Sequence, residues 1–345
     1  MIRPLPPAEL LEQADRVPLI DVRSPSEHAR GHIPGSVNIP LFSDAERGEV
    51  GTCYKQRGRD EAVLLGLRLV GPRLGDLVEQ ARAIAPEGRI AVHCWRGGER
   101  SASVAWLLDK AGFADVRTMR GGYKAFRRHI QEWFSRPWDL RVLGGYTGSG
   151  KTELLALLRE LGEQVVDLEG LAQHKGSAFG GLGQAPQPST EHFENVLWQV
   201  LGTVDPSRPI WVEDESLMIG RVRIPDALFA RLRAADLYFV DMPIEDRVQR
   251  LVSDYGGTSA EELKEPVRRI EKRLGPQHCK AALEALDRGD LAEVARITLR
   301  YYDKAYLRGA RERDPARVRT IPGRATDLRG LAQRLADHVR HEHLP

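Results

Sequence analysis

Hydrophobic positions in the first 135 residues come as short bursts between polar, Gly- and Pro-rich stretches. "PAELLEQAD" (7–15) has helical spacing, whereas "VPLIDVR" (17–23) and "GRIAVHC" (88–94) are apolar runs of strand length. "SPSEHARGHIPGSVNIP" (24–40) reads as a loop. In "RSASVAWLLDKAGF", Val104, Leu107, Leu108 and Ala111 recur at helical spacing up to a stop at Gly112. "DVRTMRGG" (115–122) follows, and "YKAFRRHIQEWF" (123–134) predicts a further helix. The pattern breaks at "SRPWDL" (135–140) and resumes with a strand, "RVLGGY", a glycine loop, and a helix, "KTELLALLRELG". The strands "EQVVDLE", "PIWVEDE" and "DLYFVDMP" come next, the last two on either side of a helix containing "DALFARLRAAD". Strands alternating with helices predict parallel α/β sheets. From about residue 258 the pattern turns helical and arginine-rich, with no strand expected. The chain therefore divides into regions 1–135, 141–257 and 258–345, without internal repeats.

Composition narrows the setting. With 41% hydrophobic and 29% charged residues, 345 residues suffice for two buried cores. No uncharged apolar stretch is long enough for a bilayer, so no membrane partner is expected. The start, "MIRPLPPAELLEQ", lacks the apolar segment of a signal peptide. Three scattered cysteines (Cys53, Cys94, Cys279) make neither a disulfide framework nor a zinc knuckle, and a cytoplasmic setting follows. Net charge is +2, but residues 264–345 hold 19 Lys and Arg against 12 Asp and Glu. That +7 leaves −5 on residues 1–263, and a basic tail suits an acidic partner such as nucleic acid or a phosphorylated ligand.

"HCWRGGERS" (93–101) carries the first candidate chemistry. A strand ending on Cys94, with a helix soon after, puts sulfur at the carboxyl edge of a sheet, where open α/β folds bind ligands. Gly97 and Gly98 let the backbone N–H groups of Trp95 to Arg100 converge on an anion, and Arg96 and Arg100 add charge. Such surroundings favour thiolate. "LIDVRSPSEHARGHIPGSVNIP" makes this region resemble a rhodanese domain, through Asp21, Arg23, Glu27, Gly31, His32, Ile33, Pro34, Gly35 and Asn38. That resemblance implies sulfur or selenium carried on Cys94. The loop, however, runs Cys94 to Arg100 with Glu99 inside, one residue longer than in small sulfurtransferases and equal to the His-Cys-x5-Arg spacing of dual-specificity phosphatases. A wider nest fits a tetrahedral phosphate-like anion. A phosphatase, and a chalcogen transferase fed by thio- or selenophosphate, both remain open.

"GYTGSGKT" is a complete P-loop in strand-to-helix context: Gly145, Gly148, Ser149, Gly150, Lys151 and Thr152 form a cradle for two linked phosphates. Thr152 is placed to ligate Mg²⁺, with no metal held by protein ligands alone. Glu213, Asp214 and Glu215 in "IWVEDES", and Asp167 and Glu169 at the end of "VVDLE", are the candidate metal-side or substrate carboxylates, with Asp241 competing. Arg247 and Arg250 stand either as lid arginines or as solvated helix charges. His174, Lys175 and Ser177 lie in "AQHKGSAFGGLG", a glycine-rich loop able to close over a ligand.

In order, "GTCYKQRG", "HCWRGGERS", "GGYTGSGKT", "DLEGLAQHKGSAFG", "WVEDES" and "RYYDKAY" make the whole chain resemble the bacterial tRNA 2-selenouridine synthases. The resemblance implies a rhodanese-like domain joined to a P-loop domain. It implies a transferase acting on wobble 2-thiouridine in the tRNA anticodon loop, with geranyl diphosphate and selenophosphate as substrates and no tightly bound cofactor. A selenophosphate-supplying enzyme becomes an expected partner. The alternative is a Cys-x5-Arg phosphatase or sulfurtransferase fused to a kinase-like P-loop module; a non-catalytic interaction module conflicts with the intact Cys94 and P-loop. In the basic tail, Arg308, Arg311 and Arg313 are the expected tRNA contacts. Cys53 reads as a packing residue, and Cys279 has no assigned role.

Overall fold

The computed structural model describes residues 2–342, except the side chains of Ala305, Ala310, Arg311, His341 and Glu342. The chain forms two compact units, Met1–Phe134 with Glu194–Gln199, and Ser135–Phe193 with Val200–Pro345.

The first unit is built on strands β1 (Ile2–Leu5), β2 (Leu19–Asp21), β3 (Val37–Asn38), β4 (Arg89–His93) and β5 (Asp115–Met119). They form a parallel sheet in the order β1-β5-β4-β2-β3, so the strand leading to Cys94 is central. Strand β1 falls where the three prolines of the opening had obscured a strand; at the sheet edge Pro4 is tolerated. Helix Asp44–Arg57 starts with a capping box, Ser43 accepting from the Glu46 N–H while the Glu46 carboxylate takes the Ser43 N–H. Helix Gly122–Phe134 buries Tyr123, Phe126, Ile130 and Phe134, the helical stripe its sequence predicts.

The second unit uses β6 (Leu140–Gly145), β7 (Gln164–Val166), β8 (Ile210–Glu213), a small hairpin of β9 (Met218–Ile219) and β10 (Val222–Arg223), β11 (Asp236–Asp241) and β12 (Val318–Pro322). Its main sheet is parallel in the order β12-β11-β6-β8-β7. The P-loop leaves central β6 where the connections diverge to the two sides, the usual ligand edge.

Two expectations fail here. Residues 258–345 were expected to be purely helical, yet β12 pairs with β11 over five residues. "VRTIP" escapes a hydrophobicity reading because edge strands are short, charged and Pro-bounded. Nor is this stretch a layer apart: Leu331, Leu335 and Val339 of helix Leu328–Glu342 share one core with Leu154, Leu155 and Leu158 of the helix after the P-loop. The strand read over "EQVVDLE" is shorter than expected, since Leu168–Ala172 is helical and capped by Asp167, whereas residues 173–189 form the expected loop.

Candidate functional site

Each unit places one glycine-turned loop at the carboxyl end of its central strand. In the first unit, Gly97 adopts φ +67°, and a Cβ there would lie 2.7 Å from the Met119 carbonyl oxygen. The loop therefore packs backbone to backbone on the turn after β5, a contact that only glycine permits. The Tyr123 and Lys124 N–H groups donate to the Cys94 and Trp95 carbonyls at 2.9 Å each, which pins the loop.

Cys94 is buried, and its Sγ lies 3.2 Å from Ser101 Oγ. The hydroxyl also reaches the Gly98 carbonyl at 3.1 Å, so Ser101 stands ready to turn its hydrogen toward a thiolate. Trp95, Arg96, Gly98, Glu99 and Arg100 line the cleft over Cys94, together with Arg47 and Lys55 from the neighbouring helix. The charged loop residues do not all serve the nest. Arg100 forms a fork to Glu27 at 2.5 and 3.1 Å, and Glu99 pairs with Arg59 at 2.6 Å. Burial opposes ionisation of Glu27, but Arg100 outweighs it and holds the carboxyl below its ordinary range.

Beneath the loop lie the buried residues Asp21, Arg23 and His93. Arg23 donates to Asp21 at 2.6 Å and to the Gly31 carbonyl at 2.7 Å, and lies 3.8 Å over the Tyr123 ring. Burial pushes His93 down to about 4 even though Asp21 pulls the other way, so its imidazole is neutral near pH 7. These motif residues brace the sheet edge. Cys53 is buried and lines a separate cleft with Glu49, Thr52 and Arg68. Cys279 packs among Leu263, Val267 and Ala282, and burial raises its thiol.

In the second unit, Gly148 and Gly150 take φ +81° and +77°, and the helix begins at Lys151. Buried Lys151 donates to the Gly145 carbonyl at 3.2 Å and lies 5.0 Å from the Tyr306 ring. Burial opposes its charge, but Tyr306, Glu169 and Glu215 more than compensate and raise it. Ser149 is fully buried within the turn. The Thr152 hydroxyl donates to Glu169 at 3.3 Å.

The candidate carboxylates separate by role. Glu169 meets the P-loop, and so does Glu215, the third carboxylate of the "WVEDES" run. A Cβ on Gly176 would lie 2.6 Å from Glu215 Oε1 and 2.8 Å from Glu169 Oε1, so the glycine-rich segment closes over both. Burial, then Glu169, pushes Glu215 well above the carboxylate range. Glu213 is likewise raised by burial and by Asp167, and accepts the Leu168 N–H at 2.9 Å. Asp167 caps its helix by accepting the Gly170 N–H at 2.6 Å. Asp214 points elsewhere, to Arg313 at 2.6 Å and Arg233 at 3.5 Å. Asp241 is exposed. Among the described residues no cluster of three His, Cys, Asp or Glu forms a metal site.

The two arginines part company: Arg247 fits neither expectation, whereas Arg250 lies at the P-loop, its guanidinium 3.1 Å from where a Cβ on Gly150 would be. Arg247 is buried, forks onto Asp303 at 2.8 and 2.9 Å, donates to the Met242 carbonyl at 3.1 Å, and covers Tyr146 at 4.7 Å. It braces the P-loop from below. Arg250 pairs with Glu153 at 2.9 Å. Arg313, expected to touch RNA, is buried and donates to the Leu232 carbonyl at 2.8 Å besides binding Asp214. Arg308 is exposed, and the side chain of Arg311 lies outside the described residues.

The His174 N–H donates to the Glu169 carbonyl at 3.0 Å, and burial together with Arg269 lowers its imidazole. The Lys175 N–H donates to the Gly180 carbonyl at 2.9 Å, and Ser177 Oγ accepts the Phe179 N–H at 3.2 Å. The Tyr302 hydroxyl accepts the Ala178 N–H at 3.1 Å. Helix Leu291–Arg311 thus carries Tyr302 to the glycine-rich segment, Asp303 to Arg247 and Tyr306 to Lys151 of the P-loop. "RYYDKAY" spaces these on one helical face, but only packing shows what that face meets. Between the helices an apolar cavity opens beside Thr147, lined by Phe179, Leu251, Tyr255, Leu263 and Leu299.

Known proteins carry the same pairing. Residues 6–129 match the rhodanese-like domain, and residues 138–335 match the tRNA 2-selenouridine synthase AAA domain. A tRNA 2-selenouridine synthase from Cupriavidus pinatubonensis is 42% identical, covering 72% of this chain and 69% of that protein. The namesakes from Shewanella denitrificans and Pseudomonas syringae are each 35% identical, covering 84% and 88% of this chain and 87% and 90% of theirs. With both domain families matched in order and full-length relatives at this identity, the chain belongs to the tRNA 2-selenouridine synthase family.

Proposed function

We propose that this chain converts wobble 2-thiouridine of tRNA to 2-selenouridine in two transfers, one at each loop. The reading rests on one observation: a chain of this family carries a thiol under an arginine-lined cleft and a P-loop beside an apolar cavity.

In the first transfer, geranyl diphosphate places its diphosphate on the P-loop N–H groups and its chain in the cavity beside Thr147. The thiouridine sulfur attacks C1 of the geranyl group, the C–O bond breaks, and diphosphate leaves. Lys151 stabilises that leaving group. Thr152 and Glu169 would hold Mg²⁺, which would offset further diphosphate charge; Thr152 already points to that carboxylate. Arg221, Arg269, Lys272 and Arg273, with Tyr301 and Tyr302, line a nearby cleft suited to a single-stranded loop of RNA.

In the second transfer, selenophosphate sits in the Cys94 nest. Cys94 Sγ attacks phosphorus, forming S–P as P–Se breaks and releasing HSe⁻. Selenium then bonds to C2 of the geranylated uridine, the C2–S bond breaks, and geranylthiolate leaves and takes a proton. Water hydrolyses the S–P bond, returning the thiol and phosphate. No oxidant is needed, whereas loading selenium onto sulfur as a perselenide would require one. Ser101, beside Cys94 Sγ, would stabilise the Cys94 thiolate that attacks and that is regenerated on hydrolysis.

A simple phosphatase would need a general acid in the loop, and Glu99 is instead paired with Arg59. Nucleoside mass spectrometry of thiolated tRNA incubated with the protein, geranyl diphosphate and selenophosphate tests the proposal. It stands if selenouridine and a geranylated intermediate both form, and falls if neither does.

A further inference from the structure

The first unit exposes more apolar surface than its fold requires. Leu67 is 64% exposed, Tyr54 59%, Val63 40% and Leu74 37%. These residues are not scattered. Helices Asp44–Arg57 and Arg59–Val70 meet helix Glu99–Lys110 around one groove, lined by all four together with Phe42 and Leu107. Large apolar patches with a polar rim mark binding sites rather than ordinary surface.

The position of the groove identifies its occupant. Phe42, Val50, Tyr54, Glu99 and Arg100 line both this groove and the cleft that holds Cys94, so one depression runs from the thiol onto the apolar helix faces. The thiol end is charged, with Arg47, Lys55, Arg96 and Arg100 around it. That end suits an oxyanion and offers a hydrocarbon nothing. A substrate matching the whole depression has a reacting carbon near a bound oxyanion and an apolar chain leading away from it.

We infer that the groove lined by Val63, Leu67, Leu74 and Tyr54 seats the ten-carbon chain on the uridine sulfur while that sulfur is displaced at the Cys94 loop. The inference rests on the proposed function, which brings a geranylated uridine to this loop. Two isoprene units extend on the order of 10 Å, about two helical turns, which is the span from Val63 to Val70 along the groove wall. Holding the chain there orients the C2–S bond and leaves the small thiol end to selenium and phosphorus. It also receives geranylthiol as the leaving group, an apolar product otherwise released directly into water. This seat is distinct from the cavity beside Thr147, which takes the chain while diphosphate is still attached.

The test uses the full chain and two anticodon stem-loop RNAs, one with S-geranyl-2-thiouridine and one with S-methyl-2-thiouridine, each with selenophosphate. Val63→Asn/Leu67→Gln removes apolar contact from two exposed helix positions, where polar residues are compatible with folding. The expected result is a KM for the geranylated RNA raised about tenfold. Turnover of S-methyl RNA should stay within twofold, as should geranylation of thiolated RNA from geranyl diphosphate. An unchanged KM for the geranylated RNA overturns the inference. So does an equal loss on both RNAs, which would mark a general defect, with a thermal melt of the variant showing whether the fold is intact. Loss of stimulation by a selenophosphate-supplying enzyme with the geranyl KM unchanged would make the groove a protein-docking face, and also overturns it. If the parent protein selenates neither RNA, the proposed function itself has failed, and the inference falls with it.

Discussion

The Cys94 loop and the P-loop are built on the same plan and differ in where their charge is placed. Each leaves the central strand of a five-stranded parallel sheet through a turn with glycine at positive φ, Gly97 in one and Gly148 and Gly150 in the other, and opens a helix. Around Cys94 two of the loop's three charged residues are committed outward, Arg100 to Glu27 and Glu99 to Arg59, Arg96 lines the cleft, and the sulfur itself lies against a neutral serine hydroxyl. In the P-loop a buried lysine faces buried carboxylates, Glu169 and Glu215, with the latter pushed toward its neutral form. A nest around a nucleophile must leave room for the anion the thiol attacks. On the proposed chemistry, a nest for a leaving diphosphate must supply charge, and then balance that charge until the ligand arrives.

The largest test of this contrast exchanges the two defects. Cys94→Ser should lower selenation of pre-geranylated tRNA by at least about a thousandfold while geranylation continues. Lys151→Ala should lower geranylation by about a hundred- to a thousandfold and leave selenation of pre-geranylated tRNA intact. Nucleoside mass spectrometry reads both products; a variant that loses both would merge the two loops into one site.

Charge pairing away from the P-loop gives the next effect. Arg313→Ala leaves Asp214 only the longer contact to Arg233 and empties a buried guanidinium site, which should cost up to about 3 kcal/mol of stability in urea unfolding. A loss of tRNA affinity with unchanged unfolding would return Arg313 to the RNA surface.

Under the Cys94 loop the expected effect is pH-linked. His93 titrates near 4 when folded against about 6.5 unfolded, so the unfolded chain binds its proton first. The stability it contributes is complete above about pH 6.5 and is lost as pH falls toward 4, up to about 3 kcal/mol. His93→Gln should flatten the urea midpoint between those values. An unchanged slope would assign the acid sensitivity to Asp21 or other carboxylates.

The smallest effect lies in the basic tail. Arg308→Glu, at an exposed position, should weaken tRNA binding several-fold, and less so as salt rises. Salt-independent weakening would remove the electrostatic reading.

Much of both loops is legible locally. The glycine spacing of "GYTGSGKT" and the nine residues around Cys94 specify backbone turns, and turns depend on neighbours in sequence. What those turns face is less legible. Asp214 and Glu215 are adjacent in sequence, yet one pairs with Arg313 and the other closes on Glu169 beneath Gly176. Successive residues leaving a strand point to opposite sides, and no composition says which side holds the ligand.

By itself, the sequence determined the alternation of strands and helices, the two anion loops, and membership in a family through motifs in fixed order. Local spacing and capping suffice for those. The tertiary structure alone decided that "VRTIP" is an edge strand, that Arg247 and Arg313 are braces, and that Tyr306 reaches Lys151 of the P-loop across about 150 residues of chain. It also decided that the exposed apolar faces around Leu67 join the thiol cleft. The reason is the same in each case: a charge or apolar side chain has no fixed meaning until packing sets its partner and its access to water.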